Sequence, residues 1–293
     1  MRFAFIDANR DKWPVSFMCR LFRVTPQGFR KWRKNRDRPY KHAALLAMMR
    51  DILAEDEENE NYGIVRMYEA LLLRGHKGSQ SKVARVMREN GLIHRRKRRP
   101  NSLTKADKEA QKSDNLLKGD FKANEPNKKW VTDITQLPTA DGKLYISGIF
   151  DCFDNACVGL TMDDNMRDEL VVATLRQAVA MHGGGAIIHS DRGSQYTGGD
   201  FRRAVAELGV IQSMNGAGGS CHDNAKCESM WARAKVEKFY QVDTSKLPME
   251  VVKAMVFRYF MGYWNNRRIC SANGGLPPFL KRAWFFEDEA LTA

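Results

Sequence analysis

The stretch WVTDIT at residues 130–135 predicts a β-strand with an acidic residue in its middle. β-Branched and aromatic residues favour the extended backbone, and burying an ionised side chain in a strand is costly unless that side chain has a role. We therefore take Asp133 as a candidate site residue and the strand around it as the beginning of a sheet.

The pattern downstream of this strand alternates between short apolar runs and helical periodicity. Strands are predicted at 130–137, 143–151, 155–162, 186–189 and near 211, and helices at 169–181, 201–208, 225–240 and 248–263, with an irregular tail after the last helix. Three strands followed by alternating helices and strands predict the α/β class, with a mixed sheet flanked by helices on both faces.

Two further acidic residues lie where this sheet would build a site. Asp191 follows the buried run at 186–189, and the carboxyl ends of strands in open α/β sheets are where sites form. Glu228 lies about one turn into the helix that begins near Asn224, and Lys235, seven residues on, shares its helical face.

Three carboxylates from two strands and a helix suit metal-dependent phosphoryl transfer. Attack on a phosphodiester develops charge on the attacking and leaving oxygens, and two divalent ions can stabilise both. Mg²⁺ prefers oxygen ligands and leaves positions for water and phosphate. The alternative is that Asp133, Asp191 and Glu228 are three unrelated surface acids among 35, which their spacing alone does not exclude.

The net charge of +13 lies entirely in the first third of the chain. Residues 1–100 carry 24 Lys and Arg against 11 Asp and Glu, whereas the remainder carries 24 of each. A one-sided positive charge favours a polyanionic partner such as nucleic acid. A solvated basic surface is the alternative.

The first hundred residues predict two helical units. In residues 1–40, a helix at 15–22 and a basic helix capped by Thr25, with Pro26 first, form a helix-turn-helix-like pattern. In residues 41–99, helices at 43–54, 63–73 and 80–89 follow, with the acidic run 55–60 in a loop facing water. Helix 80–89 buries one apolar face and projects the basic side chains expected of a recognition helix: Lys82, Arg85 and Arg88.

A basic run then leads into a polar linker at residues 100–124. Its five adjacent charges repel each other, so they are expected either to follow a DNA backbone or to form a solvated spacer: Arg95, Arg96, Lys97, Arg98 and Arg99. We place the catalytic core at 125–240 and a C-terminal helical tail at 241–293.

Three segments resemble the DDE motifs of insertion-sequence transposases. They are WVTDIT at 130–135, HSDRGSQYT at 189–197 and DNAKCES at 223–229. The chain resembles, nearly end to end, the second-reading-frame (OrfB) protein of the insertion-sequence-three family, whose members are related to retroviral integrases. One residue more than usual separates Asp191 from Glu228, and Trp264, Cys270 and Asn273 depart from the family pattern in the tail.

The resemblance implies an RNase H-like fold and cleavage and joining of the ends of a mobile element. It implies that Asp133, Asp191 and Glu228 hold Mg²⁺ or Mn²⁺, two ions per site, and that Lys235 contacts the DNA end. Gln195 and Tyr196 would help to position DNA. The expected partners are terminal inverted repeats, target DNA, further copies of the chain in a homo-oligomer on DNA, and the upstream-frame protein of the element.

Other interpretations compete with a transposase. A catalytically inert DNA-binding regulator would lack Mg²⁺-dependent strand cutting, and a stand-alone RNase H-like nuclease would lack strand joining. A zinc site from Cys221, His222 and Cys227 fits no common structural spacing, so we expect reduced, buried thiols. No apolar run is long enough for a membrane span or signal peptide, so we expect a cytoplasmic, nucleoid-associated bacterial protein.

Overall fold

A computed structural model describes residues 1–93, 113–216 and 224–292. The chain divides into two compact units, Met1–Met48 and Met49–Ala293, and the division falls within the helix α4, Ala43–Ala54. In the part of the chain that is described, no helix is both long and apolar enough to cross a bilayer. The five described cysteines are free and buried, as predicted.

The first unit is a small helical bundle. Its helices before α4 are α1 (Arg2–Ala8), α2 (Val15–Leu21) and α3 (Pro26–Arg36), of which α1 was not predicted. The predicted cap of α3 is confirmed, because the Thr25 hydroxyl accepts from the Gly28 amide at 3.0 Å and Pro26 takes the first helical position. Phe29 packs with Met18 in the core, and the basic residues of α3 stay exposed.

The second unit begins with two more of the predicted helices, α5 (Ile64–Leu73) and α6 (Gln80–Glu89). Ser79 caps α6, and the predicted apolar face of this helix is buried, as Val83, Val86 and Met87. The α6 helix ends before Gly91, which adopts the left-handed backbone that glycine favours.

The acidic run before α5 faces water only in part: Glu55, Glu57 and Glu60 are exposed, but Asp56 and Glu58 are buried, which corrects the prediction for these two residues. It forms a short 3₁₀ turn, Glu57–Asn61, in which Glu58 is only 2% exposed. Glu58 pairs with Lys238 at 2.6 Å and with Arg258 at 3.1 Å. Asp56, also buried, pairs with Arg267 at 2.9 Å. Cations some 180 to 210 residues away along the chain therefore neutralise these acids, and a local pattern cannot reveal them.

The rest of the second unit is a five-stranded mixed sheet with helices around it. The strands are β1 (Lys129–Thr139), β2 (Gly142–Asp151), β3 (Cys157–Asp163), β4 (Ile187–Ser190) and β5 (Ile211–Met214). They lie in the order β3-β2-β1-β4-β5. The strand β2 pairs with both β1 and β3 in the antiparallel sense, and β4 and β5 run parallel to β1. This is the RNase H-like sheet, as expected.

The helices of this part are α7 (Asp168–His182), α8 (Ser194–Thr197), α9 (Gly199–Glu207), α10 (Ala225–Ala234), α11 (Met249–Phe257) and α12 (Pro278–Thr292). The helix predicted at 225–240 is α-helical only to Ala234 and continues as a π-helical turn, Lys235–Phe239. A second π-helical stretch, Arg258–Trp264, follows α11.

The tail is not irregular, which corrects the sequence interpretation. The helix α12 is anchored by Arg282, whose guanidinium contacts Asp151 at 2.8 Å and Asp154 at 2.7 Å. Both carboxylates are fully buried, so the helix is tied to the end of β2 by charge that its own sequence does not reveal.

Candidate active site

The register of the sheet sets Asp133 beside Asp191. Val131 of β1 pairs with His189 of the parallel strand β4, so the register, continued by two residues, sets Asp133 at the same height as Asp191. Asp133 lies in the middle of β1, and Asp191 follows the last residue of β4. Asp191 is oriented by the Gly193 amide, which donates to its Oδ1 at 2.9 Å.

The helix α10 brings Glu228 to the same face of the sheet. Gly148 is the cross-strand partner of Asp133, and Trp231 of α10 packs onto it. Cross-strand partners share a face, so α10 lies over the face that carries Asp133. At the start of the helix, the Asn224 side-chain amide donates to the Thr132 carbonyl at 3.3 Å. Glu228, in the first turn, is exposed.

The electrostatics indicate that these charges act on one another. Burial raises the pKa of Asp133 first, the charges of Asp191 and Glu228 raise it further, and the value reaches about 8 although Lys235 opposes the rise. Burial also raises the pKa of Asp191, against the Gly193 hydrogen bond. The pKa of Lys235 is lowered by burial, and Asp133 counteracts that change.

The three acids are oxygen donors without sulfur or imidazole, the donor set that suits Mg²⁺ or Mn²⁺. Among residues 1–93, 113–216 and 224–292, no three His, Cys, Asp or Glu side chains converge closely enough to form a ready-made metal site. Asp133 and Asp191 are adjacent, whereas Glu228 lies in the first turn of α10, over the face of the sheet that carries Asp133. Of the zinc alternative, Cys221 and His222 lie outside the described residues.

The remaining predicted site residues differ in how accessible they are. Arg85 and Arg88 are exposed on α6, and Lys82 is half-buried. Gln195 is half-buried in α8 and donates to the Met166 carbonyl at 3.1 Å. The five basic residues Arg95, Arg96, Lys97, Arg98 and Arg99 lie outside the described residues.

Tyr196 does not fit the predicted role in DNA positioning. Its side chain is 1% exposed, it belongs to the hydrophobic core, and its hydroxyl lies 3.2 Å from the Thr132 hydroxyl. An aromatic ring held in this way cannot reach DNA. It instead supports β1 from the face opposite Asp133.

Sequence reasoning missed Glu237, a residue of the π-helical turn that follows α10. It is 3% exposed and accepts two hydrogen bonds from Arg268, both at 2.9 Å, and one from the Tyr259 hydroxyl at 2.9 Å. It also forms an ion pair with Arg66. Burial alone would raise the pKa of Glu237, but Arg268 and Arg66 outweigh burial and hold the pKa at about 2.

This pairing predicts a pH-dependent stability. A carboxylate whose folded pKa is about 2, below its ordinary 4.5, stabilises the fold above pH 4.5, and this stabilisation is lost as the pH falls towards 2. Glu237→Gln should flatten the acid limb of the unfolding curve between these values. At pH 7 the substitution should lower the free energy of unfolding by about 3–5 kcal/mol, because two cations lose their buried partner.

Chemical denaturation of both proteins from pH 2 to pH 7 measures this effect. Glu250→Gln, which removes an exposed carboxylate paired with Lys253, is the matched control and should change stability by less than about 0.5 kcal/mol. Parallel acid limbs for Glu237→Gln and the wild type would refute the assignment.

Gly148 provides a test of the contact that seats α10. A Cβ there would lie 2.7 Å from a ring atom of the buried Trp231, so Gly148→Ala must displace the helix that carries Glu228. We expect a loss of about 1–3 kcal/mol in the free energy of unfolding. Gly262→Ala, whose Cβ would meet only the Arg258 side chain at 3.9 Å, should be neutral or slightly stabilising. Equal stability of the two variants would contradict this packing.

The sheet order and the surrounding helices define the class of protein, one built on an RNase H-like fold. An integrase core domain model matches residues 123–220, and an HTH-like domain model matches residues 41–100. Two relatives are similar in sequence, and the first of them, which is matched over nearly its whole length, establishes the family. Transposase InsF for insertion sequence IS3A of Escherichia coli (strain K12) is 30% identical over 282 residues, which cover 95% of this chain and 97% of that protein. The probable transposase for insertion sequence element IS1353 of Shigella flexneri is 31% identical over 275 residues, which cover 93% of this chain and 53% of that protein.

The chain therefore belongs to the IS3 family of insertion-sequence transposases. Among solved structures, the HTLV-2 integrase catalytic core domain in complex with magnesium is similar at 15% identity and a TM-score of 0.42, covering 55% of this chain and 99% of that chain. A simian T-cell lymphotropic virus intasome chain is similar at 16% identity and a TM-score of 0.44, covering 68% of this chain and 66% of that one. The family, the fold class and the transposase function expected from the sequence are confirmed.

Proposed function

We propose that this transposase cleaves and joins element ends at a divalent-metal centre held by Asp133, Asp191 and Glu228. The observation that carries the proposal is the register of the parallel strands β1 and β4, which makes Asp133 and Asp191 neighbours, with Glu228 close enough to raise the pKa of Asp133. Buried like charges are costly without a counterion, and a divalent cation would remove that cost.

When bound, Mg²⁺ or Mn²⁺, two ions per site, would stabilise the charge that develops on the attacking and leaving oxygens. Asp133 and Asp191 would hold the ions jointly, and Glu228 would complete one set of ligands. Water first cuts one strand at the element's end and leaves a 3′-hydroxyl. That hydroxyl then attacks a second phosphodiester, forming one P–O bond as another breaks.

We further propose how DNA reaches this site. Lys82, Arg85 and Arg88 would hold the element's end, since α6 lies within the HTH-like match and presents them away from its buried face. The basic run at 95–99 would follow the backbone, and Gln195 would contact DNA near Asp191. Action as a homo-oligomer, with the upstream-frame protein as fusion or partner, is also proposed; the Shigella relative is about twice as long as the part it shares with this chain. The five-part division of the chain stays a prediction.

The test is incubation of the full chain with labelled candidate element ends and Mg²⁺. Nicked product followed by joined product is expected. Binding without either product would favour an inert regulator, and nicking without joining would favour a simple nuclease.

Lys235 is expected to clamp a phosphate of the cleaved end. It is half-buried and lies within electrostatic reach of Asp133, so its ammonium can contact DNA held at the carboxylates. Lys235→Ala should slow the joining of pre-cleaved ends about tenfold, the size of one charge-assisted hydrogen bond. Lys235→Arg should recover much of the loss.

Pre-cleaved ends isolate the step, because they bypass the first cut. Arg233→Ala is the matched control: this exposed residue on the same helix should leave joining within about twofold. A normal joining rate for Lys235→Ala would exclude the clamp.

A further inference from the structure

The π-helical turn after α10 lies directly beside the candidate site. The Tyr240 amide donates to the Lys235 carbonyl at 2.7 Å, so the turn holds one residue more than an α-helix would. Because each helical residue corresponds to about 100° of rotation, this extra residue sets the rotation between α10 and the chain that follows. Lys235 is the first residue of the turn.

Both sides of this turn are anchored. On the α10 side, Trp231 packs on Gly148 and Asn224 hydrogen-bonds to β1. On the other side, Glu237 is buried and held by Arg268 and Tyr259. Lys235 therefore lies where α10 meets the π-helical turn, both of which are anchored, and its position depends on both.

One of the groups that hold Glu237 comes from the HTH-like region. Arg66 lies in α5, within the match at 41–100, and its side chain is 12% exposed. It forms an ion pair with Glu237, and Lys238 of the same turn pairs with Glu58, 2.6 Å away, just before α5. The region that is expected to bind DNA thus contacts the turn that begins with Lys235.

We propose that Arg66, acting through Glu237, is a positioning residue for Lys235, so that the HTH-like region fixes the phosphate contact of the catalytic core. The inference rests on the proposed role of Lys235. Arg66 pairs with Glu237 and forms no ion pair with the acids of the candidate site. Its effect on joining must therefore pass through Lys235, whereas a purely stabilising ion pair would act whether Lys235 is present or not.

A double-mutant cycle in the full chain separates the two. Arg66→Met removes the charge but leaves Glu237 paired with Arg268. We expect it to raise the concentration of pre-cleaved end needed for half-maximal joining about fivefold in the wild-type background. In the Lys235→Ala background the same change should have less than about a twofold effect. The loss of thermal stability should be equal in both backgrounds.

Two further variants complete the experiment. Arg66→Lys should raise the concentration of pre-cleaved end needed for half-maximal joining only about half as much as Arg66→Met does. It supplies the same comparison in the two backgrounds if Arg66→Met folds poorly. Arg74→Met removes the arginine that follows α5, which pairs with Glu55 and not with the turn, and should leave joining unchanged.

If Arg66→Met raised the concentration of pre-cleaved end needed for half-maximal joining fivefold in both backgrounds, the inference would be overturned. The same holds if Lys235→Ala left that concentration unchanged. A wild-type chain that joins no ends would instead overturn the proposed function.

Discussion

Asp133→Asn should abolish strand cleavage and joining while leaving the binding of element ends intact. The substitution preserves shape and removes one carboxylate charge from the pair with Asp191. Charge stabilisation by a bound divalent ion provides several kcal/mol in the transition state, so the rates should fall by at least about 10³-fold. Asp191→Asn and Glu228→Gln should behave in the same way. Cleavage of labelled ends and a mobility-shift titration, run on each variant, measure the two properties.

Asp151→Asn is the matched control for this series. Asp151 is a fully buried carboxylate at the end of β2, and it serves the fold: it accepts from the Asn127 and Phe153 amides and pairs with Arg282. We expect it to cost about 3–5 kcal/mol in stability and to leave turnover largely unchanged in the folded fraction. Near-normal cleavage by any of the three site variants would remove that residue from the site.

The second large effect concerns salt. If six to ten phosphates are contacted, affinity for element ends should fall by about 10³–10⁵-fold between 50 and 200 mM salt. Because the excess charge lies in residues 1–100, most of this dependence should come from there. Replacing Lys82, Arg85 and Arg88 together by Gln should lower the slope of log affinity against log salt by about 2 to 3.

The control for the salt series is the replacement of Arg176 and Arg203, exposed basic residues of the core, by Gln. This variant should keep the wild-type slope. A flat salt response of the wild type, or an equal change of slope from the core pair, would contradict the assignment of DNA binding to the first third of the chain.

The sequence was sufficient for those features that local patterns encode. Thr25 was recognisable as a helix cap, and the strand around Asp133 was recognisable from its β-branched residues. The positions of Asp191 after a strand and Glu228 in a first helical turn followed from the same periodicities.

The features that were missed depend on partners far along the chain. Glu58 looked like a solvated acid, and its cations Lys238 and Arg258 are 180 and 200 residues away. Glu237 is buried because Arg66 and Arg268, which lie elsewhere along the chain, pair with it. Likewise, Tyr196 was expected to help position DNA, although its ring lies in the core.

The most direct test of the metal centre is Mn²⁺ binding by the full chain on a pre-cleaved end, counted by electron paramagnetic resonance. It does not depend on turnover, so an inactive preparation still reports on the site. We expect about two bound ions per wild-type chain. Asp133→Asn should lose at least one of them, and Asp151→Asn should lose none. An unchanged ion count in Asp133→Asn would contradict the assignment of Asp133 to the metal centre.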